Sequence, residues 1–292
     1  MRYEVGQASR VGDRMNNQDR TGLVERRDAV LLAVADGMGG HPAGDFAAET
    51  VVDKAREVFE GWPLPVRDPP ALFREVIERA HKALVAFAQE RGLSLNPGST
   101  AVLCLVQEGR AHWAHVGDSR LYLLRNGQTL RRTRDQSYVE SLYQQGLIGE
   151  EEMATHPLRS QVTECVGCQG QPPAMEVGRA QTLHRGDVLL LCSDGLWGAL
   201  PDAELGELLA EGNLSAGIER AVQRAEWLAH PFGDNIAAVG LRLLESPVEE
   251  GTTAEEQERP SDREGPATLE DAIERIEEVM REYDDELTRD RH

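Results

Sequence analysis

Cysteine is scarce, basic charge is short, and no apolar run approaches the length of a membrane span. The 292-residue chain has four cysteines, Cys104, Cys165, Cys168 and Cys192. Four thiols in a chain this long do not make the disulfide scaffold on which small secreted domains depend. Apolar runs such as Val30 to Ala35 and Val188 to Cys192 fall far below the ~20 residues that cross a bilayer. The opening Met1-Arg2-Tyr3-Glu4 has no apolar stretch of signal-peptide length. A cytoplasmic protein without membrane contact is expected. Lys and Arg number 31 against 51 Asp and Glu, a formal net charge of −20. Residues 246–292 hold 17 of those acids and six Arg, so this short stretch carries −11 and the rest −9. Neither part has the basic surface that a phosphate backbone demands, so no nucleic acid partner is expected. Cys165 and Cys168 have C-x-x-C spacing, which zinc and redox sites use. There is no second pair to complete a zinc site, and two incidental small residues are the simpler expectation.

What is present is an ordinary globular composition, 40% hydrophobic and 28% charged. Residues 1–245 read as one domain. Val30 to Ala35 reads as a buried strand that stops at Asp36-Gly37. Helices are predicted at about 42–60 and 69–91, separated by a break rich in proline and glycine. Strands are predicted at 99–107, 111–117 and 120–125, with a hairpin turn at Asn126-Gly127. Residues 137–155 read as helix or loop. Strands at 175–182, 187–193 and 235–243 and helices at about 201–210 and 214–230 complete the domain. Hairpin-linked strands with helices in separate blocks predict an α+β layered fold, not a parallel doubly wound sheet. Residues 246–267 read as an acidic flexible linker. Residues 268–292 read as an amphipathic helix and tail, with Leu269, Ile273, Ile276, Met280, Tyr283 and Leu287 on one stripe. That helix either folds back on the domain or docks a partner.

Five acids stand in small-residue surroundings at strand ends or loop starts. They lie in Asn17-Gln18-Asp19, Asp36-Gly37-Met38-Gly39-Gly40-His41, Gly117-Asp118-Ser119-Arg120, Ser193-Asp194-Gly195 and Gly233-Asp234-Asn235. Gathered together, such acids repel unless a cation offsets them. Magnesium and manganese suit oxygen ligands of this kind. Any one Asp-Gly pair is usually only a turn. The joint occurrence and order of the five carry the argument.

That order resembles the metal-dependent protein phosphatase family of type 2C, in its bacterial form. The resemblance spans residues 3 to about 243 and includes Gly98-Ser99-Thr100, Asn126-Gly127, Thr133-Arg134-Asp135, His156-Pro157 and Thr163. It implies a four-layer sandwich of two central antiparallel sheets flanked by helices. It implies hydrolysis of phosphoserine and phosphothreonine in proteins, opposing a bacterial-type Ser/Thr kinase. Two Mn2+ or Mg2+ ions are implied, with a third at Asp118 and Asp194. Asp36 would bridge the first two, the Gly37 carbonyl would bind one, and Asp194 and Asp234 the other. Asp19 would hold ion-bound waters and Arg14 would grip the phosphate. His41, five residues after Asp36, is a candidate proton donor to the leaving alkoxide. No cysteine nucleophile is needed. The chain departs from the family pattern at Gln136, Ser160 and Glu164, beside the expected active-site flap. Trp113 and Trp197 read as packing residues, and one of His112 and His115 is expected to face solvent. Two other readings stay open: a regulatory module that keeps the fold without turnover, and a two-metal phosphoesterase for small molecules.

Overall fold

A computed structural model describes residues 1–38, 43–168 and 170–245. All of them fall within one compact unit. The expected linker at 246–267 and helix at 268–292 lie outside the described residues.

Three strands open the chain, β1 (Arg2–Arg10), β2 (Asp19–Arg26) and β3 (Ala29–Asp36). Helices α1 (Gly44–Gly61) and α2 (Pro69–Arg91) follow. The ends of α2 are set locally. Asp68 caps its start by accepting from the Ala71 amide at 3.0 Å, with Pro69 in the first turn. Gly92, with φ 62°, closes its end in the left-handed conformation. Next come β4 (Ala101–Gln107), β5 (Arg110–Val116), β6 (Arg120–Arg125) and β7 (Gln128–Arg132). Asn126 and Gly127, with φ 52° and 75°, make the tight turn between β6 and β7. The stretch from 133 to 187 holds two short helices, α3 (Tyr138–Gln144) and α4 (Glu150–Thr155), and two short strands, β8 (Glu176–Val177) and β9 (Gln181–Thr182). The unit ends with β10 (Val188–Cys192), α5 (Asp194–Trp197), α6 (Asp202–Ala210), α7 (Leu214–Ala229) and β11 (Ile236–Glu245).

Two antiparallel sheets form. One runs β1-β11-β10-β6-β7, and the other β2-β3-β4-β5-β8 with β9 also on β5. Side chains alternate across a strand, so each buried strand feeds two cores. Val30, Leu32 and Val34 of β3 face the space between the sheets, where they meet Leu189 and Leu191 of β10. Leu31, Ala33 and Ala35 face the opposite way, into α1 and α2. Leu190 and Cys192 likewise turn outward to α5, α6 and α7. Burial on both faces is why these strands read as uninterrupted apolar runs. The result is the expected α+β sandwich of four layers.

Strands β1, β2 and β7 were not among the strands expected from the sequence. β1 and β7 are sheet edges, and β7 is mostly exposed. An edge strand needs little apolar surface and leaves no periodic signal. Short α5 was also unexpected. Of the two histidines on β5, His115 is buried at 4% exposure and His112 is half-buried, so neither faces open solvent as expected. No helix among the described residues is long and apolar enough to cross a membrane.

Candidate metal centre and phosphate site

The last residue of β3, Asp36, pairs directly across the sheet with the first residue of β2, Asp19. Like charges placed opposite each other destabilise a sheet, so this pair calls for compensation. A web of hydroxyls fixes it. The Asp36 amide donates to Thr100 Oγ1 at 2.9 Å, and Ser99 Oγ donates to the Asp36 carbonyl at 3.0 Å. Ser193 Oγ donates to Asp19 Oδ2 at 2.6 Å. That bond spans the two sheets, because Ser193 follows β10. It also delivers Asp194, the next residue, at the start of α5.

Gly37 sits where only glycine fits. A Cβ there would lie 2.1 Å from the Gly44 carbonyl oxygen at the start of α1. Its amide donates to the Gln18 carbonyl at 3.0 Å, which ties the two acid-bearing strand ends together.

The loop before β2 folds against the loop before β11, and Asn235 holds the two. Its side-chain amide donates to the carbonyls of Val11 and Asn16 at 2.7 and 3.0 Å, and its oxygen accepts from the Gln18 amide at 2.8 Å. This brings Arg14 to Asp234, with Nη2 donating to Oδ2 at 2.8 Å. The Arg14 side chain remains 57% exposed, so its guanidinium can still meet a ligand.

Asp118 lies in the tight turn between β5 and β6, after Gly117 at φ 93°. Gln136 braces this turn: its oxygen accepts from the Gly117 amide at 2.9 Å and its nitrogen donates to the Ala174 carbonyl at 3.0 Å. Glu164 accepts from the Ala174 amide at 3.0 Å. Two departures from the family pattern therefore fasten the same point of the flap. Beside the turn, Arg120 donates two bonds to Asp135 at 2.8 and 2.7 Å and stacks on Trp197 with 3.5 Å to the ring centroid. The Trp197 indole donates to the Asp118 carbonyl at 3.0 Å, so this tryptophan positions as well as packs. Arg120→Ala is expected to cost about 3–5 kcal/mol in chemical denaturation, because it strands a buried Asp135 carboxylate.

The electrostatics of the cluster are one-sided. Burial, and then the charges of Asp19, Asp194, Asp118 and Asp234, push the Asp36 carboxyl well above the usual range. Burial and then Asp194 do the same to Asp118. Burial pushes Asp19 up to about 7, against the pull of the Ser193 hydrogen bond. Burial and then Asp234 push Asp194 up to about 6. Five carboxyls against the guanidinia of Arg14 and Arg120, the latter already paired with Asp135, form a place for positive charge. Among the described residues, no three His, Cys, Asp or Glu side chains close into a complete metal cage. The donor set fits hard cations in an open site, where a backbone carbonyl and waters complete the shell.

Arg14, Asp36, Gly37, Asp118, Asp194 and Asp234 line one cavity of about 780 Å³. Asp19 lies behind them. Six of the eight expected site residues thus share a wall, and His41 lies outside the described residues. Ser160, at the third departure, lines the same cavity. So do Cys165 and Cys168, which form a disulfide, with Cys168 Sγ 3.5 Å from Met38 Sδ. They are not the incidental pair the spacing suggested. Cys104 and Arg110 do have C-x-x-x-x-x-R spacing, the mark of cysteine-dependent phosphatases. Here it is not a phosphate loop. Cys104 is buried within β4, Arg110 begins β5, and burial pushes the thiol far up. Ser193, Thr100 and Asn235 are positioning residues that sequence reasoning missed. Ser193 and Asn235 stand within the acidic motifs and Thr100 within Gly98-Ser99-Thr100, but hydroxyl and amide roles leave no pattern of their own.

Fold and site together define a class: a two-sheet sandwich that gathers carboxylates and one arginine at one end, suited to cations acting on a phosphate. The model of the family described as protein phosphatase 2C matches residues 6–230. The serine/threonine phosphatase stp of Listeria innocua is 34% identical over 204 residues, covering 67% of this chain and 78% of its own. The crystal structure of Stp1 from Staphylococcus aureus aligns with a TM-score of 0.75 at 30% identity, covering 84% of this chain and 96% of that one. The catalytic domain of PstP, solved in complex with 2 manganese ions, aligns with a TM-score of 0.70 at 27% identity, covering 83% and 99%. The chain belongs to the protein phosphatase 2C family.

Proposed function

We propose that this chain is a metal-dependent phosphatase that hydrolyses phosphoserine and phosphothreonine in proteins, opposing a bacterial-type Ser/Thr kinase. The observation that carries the reading is the convergence of Asp36, Asp194 and Asp234 from both sheets on a cavity that Arg14 also lines. Asp36 and the Gly37 carbonyl would hold one ion, and Asp36, Asp194 and Asp234 a second. Asp118 with Asp194 offers a place for a third. Ions bound there would supply a water acidic enough to attack phosphorus near neutral pH. Asp19, held by Ser193, would hold waters bound to those ions. Asp36 at the strand end and Asp194 at a helix start are fixed before substrate arrives, so little reorganisation is needed. Arg14 presents its guanidinium to the phosphoryl oxygens, while its bond to Asp234 limits where it can swing. The leaving alkoxide needs a proton, and His41 is the side chain proposed to give it.

The test is phosphate release from a phosphothreonine peptide with manganese or magnesium and with chelator. Turnover that needs the ion supports the reading, and none with either ion overturns it. Intact fold with no turnover would favour the regulatory module, and turnover of small phosphoesters alone the third reading. Arg14→Ala is expected to lower kcat/KM about 10²-fold by loss of a charge-assisted phosphate contact, with the melting temperature little changed. Steady-state kinetics beside a thermal melt checks this.

A further inference from the structure

A second cavity among the described residues, about 960 Å³, is distinct from the catalytic one. Arg125, Arg131, Arg132, Arg134 and Arg179 line it, with Glu176 as the single acid among the lining residues. So many arginines in one place stand out on a chain of net charge −20. Arg125 is taken up by buried Asp187 at 2.7 Å. Arg132 and Arg134 face carboxylates only at 3.4 and 3.5 Å, across partly exposed pairs. Arg131 and Arg179 have no carboxylate within 4.0 Å among the described residues.

The walls of this groove are sheet edges. β7 ends one sheet, and β8 and β9 run along the edge of the other. An edge strand offers backbone hydrogen-bonding groups to an extended peptide. The groove is also continuous with the active site. A cavity of about 750 Å³ shares Asp118, Ser160 and Asp194 with the catalytic cavity. The same cavity shares Arg132, Thr133 and Arg134 with the basic groove.

We infer that this groove docks an acidic, extended segment of the phosphoprotein substrate, on the same chain as the phosphorylated residue. The inference rests on the phosphatase reading and names its substrate class. The path follows β6 from Asp118 to Leu123, which pairs with Arg131 on β7. At ~3.3 Å per residue that is roughly 16–20 Å, or about five or six residues of extended peptide. Acidic side chains at that remove from the phosphoresidue would reach Arg131 and Arg179. Arginine on a sheet edge also guards against aggregation. That role requires no path to the active site and no substrate preference.

The experiment compares two phosphothreonine peptides in manganese. One carries Asp and Glu four to six residues on each side of the phosphothreonine, and the other carries Ser and Gly there. The intact chain is expected to show a KM about fivefold lower for the acidic peptide at low salt, lost as salt screens exposed charge. Arg131→Glu with Arg179→Glu should abolish that preference. It should leave kcat, the neutral peptide and p-nitrophenyl phosphate unchanged, which also shows that the variant folds. Equal KM for both peptides in the intact chain overturns the groove but not the phosphatase. So does an equal change for both peptides in the variant. Absence of turnover on all three substrates overturns the phosphatase reading itself.

Discussion

Asp36→Asn is expected to lower phosphate release from a phosphothreonine peptide by about 10³-fold or more, since it removes the carboxylate on which both proposed ions depend. The same change should stabilise the metal-free protein. Asp36 is buried beside Asp19 and Asp194 and feels Asp118 and Asp234 as well, and all four charges disfavour its ionised form. An amide of the same shape relieves that repulsion. In chelator the variant is therefore expected to melt a few degrees higher than the parent, an effect of roughly 1–2 kcal/mol. In manganese the order should invert. A ligand that binds only the folded state adds about 2.7 kcal/mol at a hundred times its Kd, and the variant forfeits most of this. Paired melts with manganese and with chelator check the crossing. Wild-type turnover in the variant would remove Asp36 from the centre altogether.

The metal-free protein should lose stability as pH rises through neutrality. Unfolded, the carboxyls of Asp19 and Asp194 ionise near pH 4. Folded, burial raises them to about 7 and about 6. Between those limits the folded state binds more protons than the unfolded one, so raising the pH favours unfolding. Their stabilising share is complete below about pH 4 and is gone above about pH 7. In chelator the melting temperature is expected to fall by about 5–10 °C from pH 5 to pH 8. Saturating manganese should reverse the slope, because ions compete with protons for the same oxygens. Asp19→Asn isolates the effect, and its slope in chelator should be flatter. A melting temperature that rises with pH in chelator would contradict the buried cluster. Calorimetry at the two pH values decides it.

What the sequence made legible was what depends on neighbours in the chain. The bounds of α2 follow from Asp68, Pro69 and Gly92, and residues 69–91 were readable in advance. The turn at Asn126-Gly127 is equally local. Strand β3 announced itself because both of its faces are buried. β1 gave no such signal: it is an edge whose Gly6 packs on α7, where a Cβ would come 2.6 Å from the Ser215 Cα. The acids were legible as Asp-Gly and Gly-Asp motifs in a family order. The parts that hold them were not. Ser193 reaches Asp19 across 174 residues, and Asn235 reaches Val11 across 224. No local pattern encodes such distant partners. Cys104 and Arg110 show the opposite hazard, a spacing that matches a motif while its first residue lies inside a strand.

The two sheets contribute unequally to one seam. Asp19 and Asp36 belong to the sheet under α1 and α2, Asp194 and Asp234 border strands of the other, and Asp118 stands in the turn that passes from one to the other. A cation shared by Asp36 and Asp194 would tie together points 158 residues apart in the chain. In that sense it acts as a removable cross-link, closing a long loop as a disulfide would but under the control of ion supply. The strength of the bond between the sheets would then follow the concentration of divalent ions around the protein, and the chain would be tightest under the conditions in which it can work.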